Sequence, residues 1–195
     1  MIPPKSMANC SDKETCAVFF VPFILHRETG MPEYVRIEPA AQPELALTAE
    51  NHWQTDWESD YLAKPGVDKF ALKTSSGELV ALGAYQVAGN STFVYIVYLE
   101  SAPHSNPTHT PRIGRKFSGI GEVMIAFGIK YSIDMGCRGV VVFEAKTDEL
   151  AKHYSEDFHA LEIAGAARGG PRRFMLADED AWRLFSKYLA EEEKL

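Results

Sequence analysis

The sequence has few cysteines and no apolar run long enough to cross a bilayer. Three cysteines stand at positions 10, 16 and 137, an odd number without the paired spacing of a zinc site. They indicate no disulfide framework and favour a reducing compartment, which we take to be the cytoplasm. The only candidate for a targeting segment, Ala17 to Leu25, contains Pro22 and is too short for a transmembrane helix. Acidic residues precede it and no small-residue cleavage site follows, so a signal peptide is not expected.

Positive charge is also scarce. The 195 residues include 20 lysines and arginines against 27 acidic residues, a net charge of −7. Proteins that neutralise many phosphates usually carry a basic face, so this balance argues against nucleic acid as a partner and mildly favours a small cationic substrate. The length suits one domain, or one domain with an appendage. Gly30 and Pro32 mark a turn, which divides an N-terminal extension over 1–33, with a buried strand at Ala17 to Leu25, from a domain over 34–195.

The order of predicted elements indicates an α/β fold. A helix is expected in the segment ELALTAENHWQTDWESDYL, because Leu45, Ala49, Trp53 and Trp57 are four residues apart. The segments KFALKT, LVALGAYQV and TFVYIVYLES read as an antiparallel meander joined by two hairpin turns, and the third is the most apolar. A buried helix follows from Ser118, its expected cap, to Met135. The remaining segments predict a strand at GVVVFEA, parallel to the third strand, a short helix capped by Thr147, a hairpin, and a C-terminal helix over 178–195.

One loop concentrates the positive charge of the chain. Arg112, Arg115 and Lys116 stand in a stretch without carboxylates between Ser101 and Gly121. Gly119 and Gly121 then open the buried helix, and a basic, glycine-bearing loop at a helix N-terminus is suited to binding an anion. A Walker A loop is excluded because Glu122 and Val123 follow the last glycine. A dinucleotide fingerprint fails because Met stands at position 124, where the third glycine is required.

The motif and the order of elements together resemble the GNAT superfamily of acetyl-CoA-dependent N-acyltransferases. The motif stands as Lys116-Phe-Ser-Gly119-Ile-Gly121 between YIVYLESAP and GVVVFEA, and the resemblance covers Tyr34 to Tyr188. Lys replaces the commoner Arg or Gln, and the loop before the motif is about ten residues longer than usual. YLESAP followed by this loop is similar to an uncharacterised bacterial branch. The resemblance implies a mixed, mostly antiparallel central sheet flanked by helices, with a splayed parallel pair of strands at the cofactor site.

The resemblance also implies a set of cofactor-binding residues. Acetyl-CoA would be the cosubstrate, its pyrophosphate would lie on the glycine-bearing loop, and no metal is required. The implied residues are Leu99, Ser101, Arg115, Lys116, Phe117, Ser118, Gly119, Ile120 and Gly121.

Two residues are candidates for catalysis. Tyr154 matches the family's frequent general acid, although a core tyrosine is the alternative interpretation. Glu100, at the end of the central strand, could accept the amine proton or simply pair with a cation. His104, His109 and His153 could also act as bases, but scattered histidines are more often bystanders. Trp53 and Trp57, predicted one helical turn apart, either line the acceptor pocket or pack in the core, and Cys137 has no histidine partner.

Three functions remain open from the sequence. The leading hypothesis is an N-acetyltransferase that transfers acetyl from acetyl-CoA, by direct attack, to a small amine or an exposed amino group. The alternative is a non-catalytic module that binds or senses acyl-CoA. Acetylation of aminoacyl-tRNA is disfavoured by the acidic balance, because tRNA binding needs many phosphate contacts. No membrane partner is expected, and a homodimer is left open.

Overall fold

The computed structural model describes residues 18–49, 52–106, 114–164 and 170–191. Within these ranges the chain forms eleven strands and four helices. The strands are β1 Val18–Phe20, β2 Phe23–His26, β3 Pro32–Pro39, β4 Val67–Thr74, β5 Leu79–Ala88, β6 Phe93–Ser101, β7 Phe117–Ser118, β8 Val141–Ala145, β9 Leu161–Ile163, β10 Arg172–Leu176 and β11 Leu189–Glu191. The helices are α1 Gln42–Ala46, α2 Ile120–Asp134, α3 Asp148–Glu156 and α4 Asp178–Ser186. No helix in these ranges is both long and apolar enough to span a membrane.

Nine of the strands form one sheet in the order β7-β2-β3-β4-β5-β6-β8-β10-β9. The predicted meander is confirmed, because β4, β5 and β6 pair as successive antiparallel neighbours. The most buried of the three is β5 rather than β6, since β5 lies in the middle of the sheet. β6 pairs in parallel with β8, which confirms the predicted crossover. All other neighbouring strands described in this sheet are antiparallel.

Helix α2 makes the crossover between β6 and β8 and is buried along most of its length, as the sequence predicts. Its N-cap is Gly119, not the predicted Ser118, because Ser118 belongs to β7 and pairs with Leu25 of β2. Gly119 adopts a positive φ of 81°, which favours glycine. At the other end Gly136 also has a positive φ, of 78°, and the helix stops there as expected.

The helix expected over residues 44–62 is wrong. Only Gln42–Ala46 is helical, and the described residues after it form turns. The four-residue spacing of Trp53 and Trp57 is typical of a helix, but here tertiary contacts determine the backbone conformation. The backbone N–H of Trp57 donates to Thr48 Oγ1, and its indole Nε1 donates to Glu100.

Both ends of the described chain meet in a separate two-stranded sheet. The single buried strand predicted over Ala17 to Leu25 is wrong, because the described part of this run is divided at Pro22 into β1, which is largely exposed, and β2. β1 pairs with β11, so the predicted helix over 178–195 ends at Ser186 and the chain becomes extended at Leu189–Glu191. Burial of Tyr188 against Phe20 and Phe23, with ring centroids 6.1 and 5.2 Å away, holds this turn in place.

The two faces of the large sheet carry different cores. One face packs against α2, α3 and α4 around large apolar side chains such as Met124, Phe143 and Phe174. The other face packs, along β4, β5 and the end of β6, against α1 and the turns that follow it, around Trp57, Leu62 and Leu82. On this second face β8 and β10 carry Val142, Glu144, Arg173 and Met175, which lie outside both cores.

Candidate functional site

The parallel strands β6 and β8 separate soon after they begin. Their ladder consists of Val94 opposite Val141 and Tyr95 opposite Val142. On its other edge β6 has a register shift against β5, where Tyr85 faces Ile96 and Ala84 faces Tyr98, so Val97 is the bulged residue. From Val97 to Ser101 no described strand pairs with the β8 side of β6. Bulges and open edges leave backbone groups available for a ligand.

The splayed pair that the sequence predicts is therefore confirmed. Leu99 and Ser101 both lie on the open part of β6, where the resemblance places backbone groups for pantetheine and the thioester. Sequence reasoning missed Val97, because a bulge is set by pairing register between strands and leaves no mark in the local sequence.

The N-terminus of α2 has the features of an anion site. Gly119 caps the helix without any side-chain hydrogen bond, so the first N–H groups of the helix have no capping acceptor from a side chain. A Cβ built on Gly119 or on Gly121 would meet nothing within 4 Å. Glu122, the acid of the first turn, is held by Lys187 at 2.8 Å. Donors, the helix dipole and open space thus coincide at this turn.

The loop before α2 is anchored firmly. Lys116 donates its backbone N–H to His104 O, and its Nζ lies 2.6 Å from Glu78 Oε2 at the turn between β4 and β5. The N–H of Phe117 donates to Ser105 Oγ, and its buried ring contacts His26 and His104 edge-on. The backbone donors free for a ligand therefore begin at Gly119.

The remaining predicted residues of this loop differ in accessibility. The side chain of Ile120 is buried, so only its backbone can reach a ligand. Arg115 is exposed and forms no ion pair with any described residue, which leaves its guanidinium available. Arg112 and His109 lie outside the described residues.

Tyr154 lies on α3 and packs onto β8. Its ring meets Phe143 edge-on at 4.8 Å and also contacts Phe158 and Phe174 at 5.9 and 5.7 Å. Burial raises the pKa of Tyr154 to about 12. No described residue forms a hydrogen bond with its hydroxyl. Tyr154 is thus a largely buried phenol, fully protonated at neutral pH, packed against the strand that diverges from β6.

Glu100 is buried on the opposite face of the sheet. Its side chain is only 4% exposed, and its two oxygens accept hydrogen bonds from Gln54 N and from Trp57 Nε1 at 3.1 Å. Trp57 is fully buried, so it presents no surface to a ligand, whereas Trp53 is half-buried in the same segment. Glu100 therefore fastens the turn-rich segment after α1 to the end of β6.

The predicted histidines do not join these groups. His104 Nδ1 lies 2.8 Å from Ser105 Oγ beneath the Lys116 loop. His153 Nδ1 lies beside Asp157, one turn further along on α3, with its side chain 44% exposed. Among the described residues no three His, Cys, Asp or Glu side chains are grouped so as to hold a metal ion.

A cluster of tyrosines beside the splay was missed by the sequence reasoning. Tyr95 and Tyr98 are on β6, and Tyr61 comes from the turns after α1. Burial, with Glu144 as the next cause, raises the pKa of Tyr95 to about 12 and that of Tyr61 above its usual value. Lys146 Nζ lies 3.6 Å from the Tyr98 ring centroid. These residues are far apart in sequence, so no local motif announces the cluster.

The ion pair between Arg173 and Glu144 borders this cluster. Arg173 Nη2 and Nε lie 2.6 and 3.1 Å from Glu144 Oε1, and the two residues are direct cross-strand partners on β10 and β8. The Arg173 guanidinium also lies 5.5 Å from the Tyr95 ring centroid. The sheet face opposite α2 therefore has both aromatic and charged groups where β6 and β8 diverge.

Comparison with known proteins identifies the fold. No protein-family model matches the sequence, and no curated protein matches it. Among solved structures, a spermidine/spermine N-acetyltransferase, SpeG from Vibrio cholerae, solved with manganese ions, aligns with a TM-score of 0.52 at 10% identity, over 77% of this chain and 95% of its own. The Vibrio enzyme solved with CoA and spermine gives a TM-score of 0.52 at 12% identity, over 75% and 97%.

A third structure, a protein from Klebsiella pneumoniae assigned as an acyl-CoA N-acyltransferase, aligns with a TM-score of 0.50 at 17% identity, over 73% of this chain and 96% of its own. All three likenesses are at low identity, so they concern the fold. The chain has the fold of the GNAT superfamily of N-acyltransferases, as its sequence motif and element order predict.

Proposed function

We propose that the protein is an N-acetyltransferase that transfers the acetyl group of acetyl-CoA to a small amine. The observation that carries this proposal is the uncapped, glycine-bearing N-terminus of α2, with open space at Gly119 and Gly121, together with the unpaired edge of β6. The first feature suits a pyrophosphate and the second suits the pantetheine amide and the thioester. The structures that share the fold include one with CoA and spermine bound.

The chemistry is a direct attack of a neutral amine on the thioester carbonyl. Fixed backbone dipoles along Val97 to Ser101 would polarise the carbonyl, and the cleft would hold the two reactants together. The C–N bond forms and the C–S bond breaks, and Tyr154 protonates the departing thiolate. We assign water rather than Glu100 as the acceptor of the amine proton, because each oxygen of that buried carboxylate already accepts a hydrogen bond.

The loop cations complete the proposed cofactor site. Arg115 is available for a phosphate as it stands, whereas Lys116 would first have to exchange Glu78 for the ligand. An enzyme of this kind needs no metal. Three cysteines without a disulfide framework are consistent with a cytoplasmic location.

Titration of the protein with acetyl-CoA, NAD and ATP in separate calorimetric experiments tests the cofactor. We expect acetyl-CoA to bind at least about tenfold more tightly than either nucleotide, a difference of about 1.4 kcal/mol. Tighter binding of NAD would refute the proposal. Release of CoA thiol from acetyl-CoA in the presence of an amine panel then tests catalysis, and binding without turnover on any amine would indicate the non-catalytic acyl-CoA-binding module instead.

A further inference from the structure

An apolar groove lies on the sheet face opposite α2, beside the point where β6 and β8 diverge. It has a volume of about 320 Å³, and we call it the β8 groove. Its main lining residues come from β6, β8, β9 and β10 and are Phe93, Tyr95, Val142, Ile163, Arg173 and Met175. On β10, Phe174 and Leu176 enter the core beneath α2 and α3, so Arg173 and Met175 face the other way.

The position of the β8 groove suits an acceptor for the proposed reaction. Tyr95 lines the groove and is also the last residue of β6 that pairs with β8. A thioester that enters between the strands from the α2 side would therefore meet an amine held on the opposite face. Trp57 and Trp53, the residues expected to line an acceptor pocket, do not line this groove.

The charges of the groove select among amines. Arg173 is its one charged lining residue among the described part of the chain, and Glu144 beside it is already paired with Arg173. A polyamine needs several unpaired carboxylates, and the described lining residues of this groove include none. A guanidinium has five N–H donors, and Glu144 and Tyr95 engage only some of those of Arg173. Arg173 lines the groove, and its other lining residues are apolar apart from Tyr95.

We propose that the β8 groove binds the acceptor and that the acceptor is a free α-amino acid with an apolar side chain. This inference rests on the proposed acyltransferase function. The carboxylate of the amino acid binds the free donors of Arg173. The apolar side chain lies against Phe93, Val142 and Met175. The ammonium group lies on the Glu144 side of the ion pair.

The transfer step balances without any further reactant. The ammonium group first gives one proton to water. The neutral nitrogen attacks the acetyl carbon of acetyl-CoA, the C–N bond forms and the second amine proton is lost to water. The C–S bond breaks, and its electron pair leaves with the sulfur, which takes a proton from Tyr154. Water then returns a proton to the Tyr154 phenolate. The products are an N-acetyl amino acid and free CoA.

Thiol release from acetyl-CoA, measured with three acceptors, tests the inference. L-phenylalanine carries the carboxylate and the apolar group, phenethylamine lacks only the carboxylate, and spermidine is the polyamine. We expect a kcat/KM for L-phenylalanine at least about tenfold above those of the other two, which is a modest value for a carboxylate bound to Arg. Arg173→Gln should raise the KM for L-phenylalanine by about tenfold or more, and it should change the KM for phenethylamine by no more than about twofold.

Arg172→Gln is the matched control. Arg172 also forms a cross-strand ion pair, with Glu162 at 2.6 Å, but it precedes Arg173 on β10 and so points to the opposite face. Its substitution should leave kcat/KM unchanged for all three acceptors. If circular dichroism shows that Arg173→Gln does not fold, Ala88→Phe replaces it, because Ala88 lines the groove and a phenyl ring there would fill it.

Two outcomes would overturn the inference, and they are distinguishable. Efficient turnover of spermidine, with Arg173→Gln unchanged on every acceptor, would refute the amino-acid acceptor while the acyltransferase function stands. Absence of acetyl-CoA binding in calorimetry would refute the proposed function itself, and the inference with it.

Discussion

Tyr154 is the residue on which the proposed mechanism depends most directly. We expect Tyr154→Phe to retain the packing against Phe143 and most of the acetyl-CoA affinity, but to lower kcat by about 10²-fold, the usual effect of losing a positioned acid. Steady-state kinetics on a good acceptor amine measures this. Because the pKa of Tyr154 is about 12, its deprotonation should not limit kcat below about pH 10.

The same variant distinguishes a catalytic tyrosine from a core tyrosine. A folded Tyr154→Phe protein with undiminished turnover would remove Tyr154 from the mechanism and leave water to protonate the thiolate. Basal hydrolysis of acetyl-CoA is a poor substitute for the assay, because it does not require an acceptor in the cleft.

The hydrogen bond between Trp57 and Glu100 supports a second prediction at the residue scale. Trp57→Phe removes the indole N–H from a carboxylate that is only 4% exposed, and a buried acceptor that loses its donor costs roughly 1–3 kcal/mol. We expect a loss of that order in the free energy of unfolding, measured by urea denaturation. Trp53→Phe is the control, since Trp53 is half-buried in the same segment and no described hydrogen bond joins it to Glu100.

A double-mutant cycle with Glu100→Gln separates the hydrogen bond from the loss of ring volume. If the bond matters, Trp57→Phe should cost less in the Glu100→Gln background, because an amide oxygen is less costly to leave unpaired than a carboxylate. Equal costs in the two backgrounds would show that Trp57 contributes through packing alone.

At the scale of the elements, the sequence predicted those whose pattern is local. The meander, α2 and β8 were predicted correctly, because alternation, turn residues and a long apolar run determine them. The prediction of a helix over 44–62 failed because the four-residue spacing of its tryptophans does not reflect a helix face. Trp57 donates a hydrogen bond to Glu100, and Trp53 and Trp57 pack in the core on the second face of the sheet. The helix predicted over 178–195 continues only to Ser186, because Leu189–Glu191 pairs with β1, which is distant in sequence.

The N-terminus of α2 supports a prediction about acetyl-CoA binding. A Cβ at Gly121 meets nothing within 4 Å, so Gly121→Asp should leave the fold largely intact. The new side chain would occupy the space proposed for the pyrophosphate with a negative charge, and we expect acetyl-CoA binding to be abolished in calorimetry.

Gly121→Ala is the matched variant, because it adds the Cβ without the charge. It should bind acetyl-CoA more weakly than the native protein but more tightly than Gly121→Asp, and its helix should be slightly more stable. Native affinity in Gly121→Asp, with the fold confirmed by circular dichroism, would show that the phosphates do not lie at this turn.

At the scale of the whole molecule, the parts of the candidate site come together from separate segments of the chain. The glycine-bearing loop was predictable because its residues are contiguous. Tyr61, Tyr95, Glu144 and Arg173 are brought together by the pairing of β6, β8 and β10 and by the turns after α1. Such a set can be recognised only once the register of the strands is known.

The tyrosines also determine how the whole protein responds to alkali. Burial is the main cause that raises the pKa of Tyr95 and Tyr154 to about 12, and it raises the pKa values of four further tyrosines. These four are Tyr61, Tyr85, Tyr131 and Tyr188. An unfolded tyrosine loses its proton near pH 10. Above that pH the unfolded chain binds fewer protons than the folded protein, so stability is lost as pH rises from about 10 towards 12.

We therefore expect the midpoint of urea unfolding to be constant between about pH 8 and 9.5 and to fall steeply above pH 10. Tyrosinate absorbance near 295 nm should rise together with the loss of far-ultraviolet circular dichroism, because the buried phenols ionise only when the protein unfolds. For Tyr154, which is largely buried, each unit of pKa shift corresponds to about 1.4 kcal/mol. The midpoint of urea unfolding of Tyr154→Phe should therefore fall less steeply with pH than that of the native protein. Ionisation of Tyr85, Tyr154 and Tyr188 near pH 10, with the fold retained, would contradict the burial that raises their pKa values.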